Sequence, residues 1–295
     1  MEQERRVAIV TGASSGFGRL TAIELASAGW RVFGTFRGSK RGFEETRQEL
    51  ARAAEGLPGT LEAVEMDVSD DASVEDGVRS ILAASNGRID TLVNAAGFGT
   101  FGPLEAIDID KWRRQYETNV FGIVRLVQAV VPSMREARGG LIVNFGSDVG
   151  VRANFWQSAY ASSKFAVEGL TQALRLELQQ FGIRVCLVSP GWYDTPFGQS
   201  GVSTWDSSEA GPYVSLREHW EAGVNAAEGP NPEERAQDVA DLVVRLTQTD
   251  RPAFRNAIGW NPARPHNVIA EEFDRYEDRL FEYYGIVAFR QASRD

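Results

Sequence analysis

Tyr160 and Lys164 stand four residues apart, with Ser147 a short way upstream. The stretch from Ser158 to Leu170 reads as part of a helix, so the phenol and the ammonium share one face. An ammonium beside a phenol favours the phenolate and lowers its pKa from about 10 toward the working range. A hydroxyl carried on another element, Ser147, can hold a substrate oxygen next to that phenol. The chemistry this suits is reduction of a carbonyl or oxidation of an alcohol, provided a hydride donor lies nearby.

The donor site is foreshadowed near the N-terminus. Arg6 to Thr11 is a short apolar run that reads as a buried strand, and Leu20 to Ala28 has helical periodicity. Between them lies Thr11-Gly-Ala-Ser-Ser-Gly-Phe-Gly18. Strand, glycine-rich turn and helix make a dinucleotide site: Gly12 for the tight turn, Gly16 and Gly18 for close approach of backbone to a pyrophosphate. The helix N-terminus then presents free N–H groups to the anion. Taken singly, a Tyr-x-x-x-Lys pair is an ordinary exposed pair, and a glycine turn is a plain strand-to-helix link. Their combination, in this order on one chain, carries the reading.

The elements that must position these groups alternate. Strands are predicted at 6–11, 31–36, 60–66, 89–94, 140–146 and 183–189, and helices at 17–28, 41–55, 71–86, 109–136 and 157–181. A last strand near 257–259 and a tail helix over 267–284 follow. The alternation has no linker, which favours one α/β domain with a doubly wound parallel sheet of about seven strands. Ligands in such sheets bind at the C-terminal strand ends, where the glycine loop, Arg37, Asp67, Asn94, Ser147 and Pro190 fall.

The chain has 295 residues and a net charge of −10, which argues against a general nucleic-acid role. No apolar run approaches a membrane span and the first residues lack a signal-peptide core, so a cytoplasmic location is expected. Cys186 lies in an apolar strand and reads as a buried core residue. His219 and His266 are isolated, and no metal site is expected.

The chain resembles the short-chain dehydrogenase/reductase family. The matching residues are Thr11-Gly-x-x-x-Gly-x-Gly18, Asp67, Asn94-Ala-Ala-Gly97, Asn119, Ser147, Tyr160-x-x-x-Lys164, and Pro190-Gly191 with Thr195. The resemblance implies a single Rossmann domain over 1–295 and a catalytic group of Ser147, Tyr160, Lys164 and Asn119, the last holding a water in a proton relay. It implies cofactor contacts from Gly12, Ser14, Ser15, Gly16, Phe17, Gly18, Arg37, Asp67, Val68, Asn94, Ala95, Gly97, Tyr160, Lys164, Pro190, Gly191 and Thr195. Asp67 would accept from the adenine amino group; Ser69 or Asp70 suits the next helix cap better. One departure is Ala95, where the family usually carries a second Asn.

Family spacing places neutral Phe36 where an NAD-preferring enzyme has an Asp. Arg37 follows, with Ser39, Lys40 and Arg41 beyond, and a guanidinium suits a 2′-phosphate. NADP(H) is therefore expected over NAD(H), although Ser15 stands where the family's other NADP marker is basic. A small-molecule carbonyl or alcohol is expected as substrate. A segment over 192–231 reads as a lid, and Asp148, Val149, Phe155, Trp156, Trp192, Tyr193, Phe197 and Trp205 are candidates for the pocket. The lid, the second strand's end and a C-terminal extension over 262–295 resemble the hydroxysteroid and retinol dehydrogenase-like branch. That implies a medium to bulky apolar substrate. A homodimer or homotetramer fits the long helices. A dinucleotide-binding regulator, or a dehydratase or epimerase on the same scaffold, are the alternatives.

Overall fold

The structure is a computed structural model and describes residues 5–38, 42–193, 195–197, 202–203, 211–216, 218–219 and 235–259. Short runs of β-branched and aliphatic residues form the strands of a seven-stranded, all-parallel sheet: β1 (Val7–Thr11), β2 (Arg31–Phe36), β3 (Thr60–Glu65), β4 (Thr91–Asn94), β6 (Gly140–Phe145), β7 (Ile183–Pro190) and β9 (Arg255–Ile258). Two short strands, β5 (Thr100–Phe101) and β8 (Val202–Ser203), pair in parallel outside it. The order of the main sheet is β3-β2-β1-β4-β6-β7-β9, so the winding reverses between β1 and β4. That switch point opens a crevice beyond the C-terminal strand ends.

Both faces of the sheet are buried, because side chains alternate along each strand. Val7 and Ile9 join one core with Leu126, Val130 and Val167, while Ala8 and Val10 join the other with Leu25, Leu50 and Val243. The helices covering the faces are α1 (Gly16–Ser27), α2 (Phe43–Ala53), α3 (Asp71–Ala84), α4 (Ile109–Tyr116), α5 (Gly122–Glu136), α6 (Ser158–Leu178) and α7 (Ala236–Thr247). Helix α3 is capped by Asp70, whose carboxylate accepts from Ser73 N at 2.7 Å. Cys186 is fully buried in β7, and burial pushes its thiol up to about 12.

Three sequence expectations need correction or restriction. The helix expected over 109–136 is broken into α4, a π-helical turn at Glu117–Phe121, and α5. The helix expected over 157–181 ends as α6 at Leu178 and continues as a tight 3-10 turn, Gln179–Phe181. The tail helix over 267–284, His266 and most of the expected lid lie outside the described residues.

Candidate active site

The glycine loop follows β1 and leads into α1. Gly12 has φ +69°, and a Cβ there would stand 2.9 Å from Ala96 Cα. A Cβ on Gly18 would collide with the Gly12 carbonyl. At these two positions the loop leaves no room for a Cβ, whereas one on Gly16 would meet nothing within 4 Å. Ser15 caps α1 without a side-chain hydrogen bond, and the first turn of α1 carries no acidic residue. The helix end is therefore electropositive and open to an anion.

An open groove of about 280 Å³ runs past this helix end. It gathers Gly12, Ser14, Ser15, Gly16, Phe17 and Gly18 from the loop, Arg37 from the end of β2, and Asp67 and Val68 from the end of β3. Ala95, Gly97 and Thr195 line it too, so most of the expected cofactor contacts meet here. The groove also takes in Phe36 and Ala96, and Met66, Phe98, Arg114 and Thr118, the last four of which sequence reasoning missed. The signal for Arg114 and Thr118 was available, since both lie on the helical turns just before Asn119. Arg37 is exposed, and among the described residues it enters no salt bridge. Asp67 Oδ1 accepts from Ser69 N at 2.9 Å and from Ser69 Oγ at 2.6 Å, which fixes the carboxylate at the groove wall. The cradle and its charge distribution fit a dinucleotide.

Asn94 does not line the groove. Its amide Nδ2 donates to Asn144 Oδ1 at 2.8 Å, and Asn144 Nδ2 donates to Thr171 Oγ1 at 3.0 Å. This buried rung ties β4 to β6 and α6. Pro190 and Gly191 are not among the residues lining the groove either; Gly191 N donates to Ile258 O at 2.8 Å and extends the pairing of β7 with β9.

Ser147, Tyr160, Lys164 and Asn119 are all buried beside one another's elements. Ser147 caps the short 3-10 turn Asp148–Gly150 that follows β6, and its Oγ accepts from Val149 N at 3.3 Å. The Ser147 hydroxyl donates to Asp148 Oδ1 at 3.1 Å. Lys164 lies one helical turn beyond Tyr160 on α6, with Nζ 5.7 Å from the phenol ring centre. It donates to the Phe145 carbonyl at 2.7 Å.

The electrostatics differ from the expectation. Burial raises the Tyr160 phenol well above its ordinary value; the neighbouring Ser147 hydroxyl opposes this and the Asp148 charge adds to it. Burial lowers Lys164 to about 8. The lysine does not pull the phenol into the physiological range here, because it is itself desolvated and turned toward a backbone carbonyl. Tyr160 is a neutral phenol at pH 7, ready to donate a proton.

Asn119 sits in the π-helical turn, a distortion found often at functional sites. Its side chain is engaged by backbone: Phe98 N donates to Oδ1 at 3.2 Å, and Nδ2 donates to Phe98 O at 3.0 Å. Nδ2 also reaches Ser163 Oγ at 3.3 Å. Asn119 thus clamps the loop after β4 to α6, between Tyr160 and Lys164.

The expected pocket residues divide. Phe197 lies 5.4 Å from Tyr160, ring centre to ring centre, and Val149 packs against the same phenol. Phe101, unforeseen from sequence, stands 5.9 Å from Tyr160 on the other strand-paired loop. Trp156 packs edge-on to Tyr213 at 5.5 Å and holds φ +62°, an uncommon backbone for a bulky residue. Phe155 and Trp192 are each 53% exposed, so they are surface groups near the mouth at most. Tyr193 corrects the expectation: it is buried edge-on to Phe17 at 5.5 Å, in the core under the glycine loop. Trp205 lies outside the described residues. Asp148 is half-buried, with Oδ2 accepting from Arg152 Nη2 at 3.0 Å.

Among the described residues no helix is long and apolar enough to cross a membrane. The family model for short chain dehydrogenases matches residues 6–205. A 3-ketodihydrosphingosine reductase of Bacteroides thetaiotaomicron is 40% identical over 192 residues, which span 65% of this chain and 65% of that protein. Retinol dehydrogenase 8 of Homo sapiens is 34% identical over 85% of this chain and 80% of its own length. A crystal structure of a metagenomic short-chain oxidoreductase in complex with NADP matches with a TM-score of 0.64 and 30% identity, covering 86% of this chain and 95% of the other. With the glycine cradle, the Ser147, Tyr160 and Lys164 constellation and this family match in agreement, the chain belongs to the short-chain dehydrogenase family.

Proposed function

We propose that the protein interconverts a ketone or aldehyde and an alcohol with NADP(H), on a medium to bulky substrate that is largely apolar. The observation that carries this is the buried Tyr160 phenol, with Lys164 Nζ 5.7 Å from its ring centre, beside a groove that fits a dinucleotide. When bound, the dinucleotide supplies or accepts the hydride.

The residues supply the rest. Ser147 and Tyr160 hold the substrate oxygen between two hydroxyls. As the oxygen gains charge in reduction, the Tyr160 O–H transfers its proton to it, leaving a phenolate that the Lys164 ammonium stabilises. In oxidation the phenolate takes the alcohol proton. Because Asn119 has its side chain on Phe98 and Ser163, any water it holds for reprotonation would bond the backbone of the π-helical turn rather than the amide. Apolar walls at Phe101 and Phe197 support a substrate with hydrocarbon flanking the carbonyl. The NADP-bound relative and the retinol dehydrogenase relative support the cofactor and the substrate class. Arg37 supports the NADP preference, since it lines the groove at the end of β2 and a guanidinium suits a 2′-phosphate.

Absorbance loss of NADPH and of NADH with ketones and aldehydes, from small and polar to steroid-sized, tests the reading. Faster turnover with NADPH on the bulkier apolar carbonyls is expected. Tight NADPH binding with no carbonyl reduced would replace it with a dinucleotide-binding regulator.

A further inference from the structure

The π-helical turn Glu117–Phe121 is held from outside by one side chain, Arg125, in the first turns of α5. Its guanidinium spans three elements. Nη2 donates to Glu117 Oε2 at 2.8 Å, and Nη1 donates to the Glu117 carbonyl at 3.4 Å. Nη1 also reaches the Val68 carbonyl at 3.4 Å, and Nε donates to Asp71 at the start of α3. The turn and the arginine need each other. In a continuous α-helix a residue eight places on lies about 80° round the axis from the first. A π-turn closes from i to i+5, as Gly122 N does on the Glu117 carbonyl, and takes up one residue more. That brings Arg125 to within about 20° of Glu117, with its side chain directed back along the helix.

The same turn touches the groove and the catalytic group. Val68 and Thr118 line the groove. A Cβ on Gly122 would stand 2.9 Å from Val68 Cγ2, so the end of the turn packs directly on the groove wall. Asn119 holds the Phe98 backbone and Ser163, and Ser163 Oγ donates to the Tyr160 carbonyl at 2.7 Å. Contacts therefore run unbroken from the Val68 wall, through the turn, to the backbone of Tyr160, and Arg125 pins their middle. Its pair with Asp71 carries little of this, because that carboxylate is 79% exposed. Glu117 is bound at two points, so the weight of Arg125 falls on the turn rather than on α3.

We propose that Arg125 is a positioning residue: it fastens the π-helical turn against the Val68 wall and so sets Thr118 for the dinucleotide and Asn119 for the catalytic group. This rests on the reductase reading above and adds to it a residue that does not line the groove. The test compares the wild type with Arg125→Met, Arg125→Lys, Glu117→Gln and Asp71→Asn. Arg31→Met is the control. Arg31 pairs with Glu62 and donates to the Ala84 carbonyl at the start of β2, the end of the strand away from the groove, so its loss removes similar bonds elsewhere. Four quantities are read: NADPH Kd, kcat and KM with saturating NADPH and a bulky apolar ketone, deuterium uptake at the Phe98 amide that donates to Asn119, and the urea midpoint.

Arg125→Met is expected to raise the NADPH Kd about 3- to 10-fold, to lower saturated kcat about 10- to 100-fold and to speed exchange at Phe98, with the ketone KM within about threefold. Glu117→Gln should show the same pattern more weakly, and Arg125→Lys should recover part of the loss. Asp71→Asn and Arg31→Met should leave kcat and Phe98 exchange within about twofold, even where the urea midpoint falls. If Arg125→Met does not fold, Glu117→Gln carries the test. Unchanged kcat and Phe98 exchange in both variants, with only the urea midpoint lowered, would make Arg125 a structural residue and overturn the proposal, leaving the reductase reading standing. A raised NADPH Kd with no fall in kcat would overturn it as well. A wild type that binds NADPH and reduces no ketone would sink the reductase reading; Phe98 exchange and NADPH affinity would then decide the positioning role by themselves.

Discussion

At the scale of single residues, the site works through burial more than through charge pairing. Tyr160 and Lys164 could be read from their spacing, but the state of their protons could not, because desolvation depends on what the rest of the chain lays over them. Lys164, held near 8 by burial, keeps its proton below about pH 8 and loses it above. For reduction, kcat/KM is expected to be level through neutral pH and to fall as pH rises past about 8, as the ammonium that stabilises the Tyr160 phenolate is discharged. A rate that climbs through that range would contradict the role given to Lys164. Stability moves the other way. The unfolded lysine titrates near the ordinary value of 10.5, so between about 8 and 10.5 the unfolded chain binds more protons and stability rises with pH. Lys164→Met should therefore gain most over the wild type at pH 7, on the order of 3 kcal/mol before the lost hydrogen bond to Phe145 is subtracted, and less at pH 10. Denaturant titrations of both proteins across that range would show whether the difference narrows.

Among the elements, the parallel strands were legible because each is a short apolar run bounded by polar or glycine residues. The π-helical turn was not. The stretch Glu117 to Gly122 has no proline and only a terminal glycine, and its apolar spacing continues the helix on either side. What shifts the register there is tertiary: Asn119 closes on the Phe98 backbone and on Ser163. The side-chain partner of Asn94 was not legible for a related reason, since Asn144 lies fifty residues away and pairs with it only once the strands are side by side. A further element-scale contact joins the catalytic helix to the last strand. Glu168 of α6 pairs with Arg255 of β9 at 2.9 Å, and their side chains are only 6% and 2% exposed. Glu168→Ala leaves the buried guanidinium without that partner, so a loss of about 3–5 kcal/mol in unfolding free energy is expected. A change under about 1 kcal/mol in a urea melt would mean that solvent reaches this pair.

For the whole molecule, the reversal of winding between β1 and β4 brings the glycine loop, the ends of β2 and β3, and the Ser147 turn to one rim. The order of motifs along the chain was enough to put the glycine loop, Asp67 and Ser147 on that rim, because the topology of parallel sheets leaves few other positions. The substrate walls were less legible. Phe101 comes from a two-residue strand that exists only through pairing with β8, and Tyr193 turns into the core although its neighbour Trp192 faces out. Dinucleotide binding at this rim couples to the whole fold by mass action. NADPH at a hundred times its Kd is expected to raise unfolding free energy by about 2.7 kcal/mol, and NADH at the same concentration by less. Thermal melts with each dinucleotide read this directly, and equal shifts would speak against Arg37 as a phosphate contact. The central claim is that the Tyr160 hydroxyl delivers the proton. It is tested most directly by single-turnover reduction of a bulky apolar ketone, with Tyr160→Phe beside the wild type and NADPH affinity measured for both. The expected result is unchanged NADPH affinity within about threefold and a reduction rate lower by about 10²–10⁴-fold. A Tyr160→Phe enzyme that reduces the ketone at the wild-type rate would contradict the account.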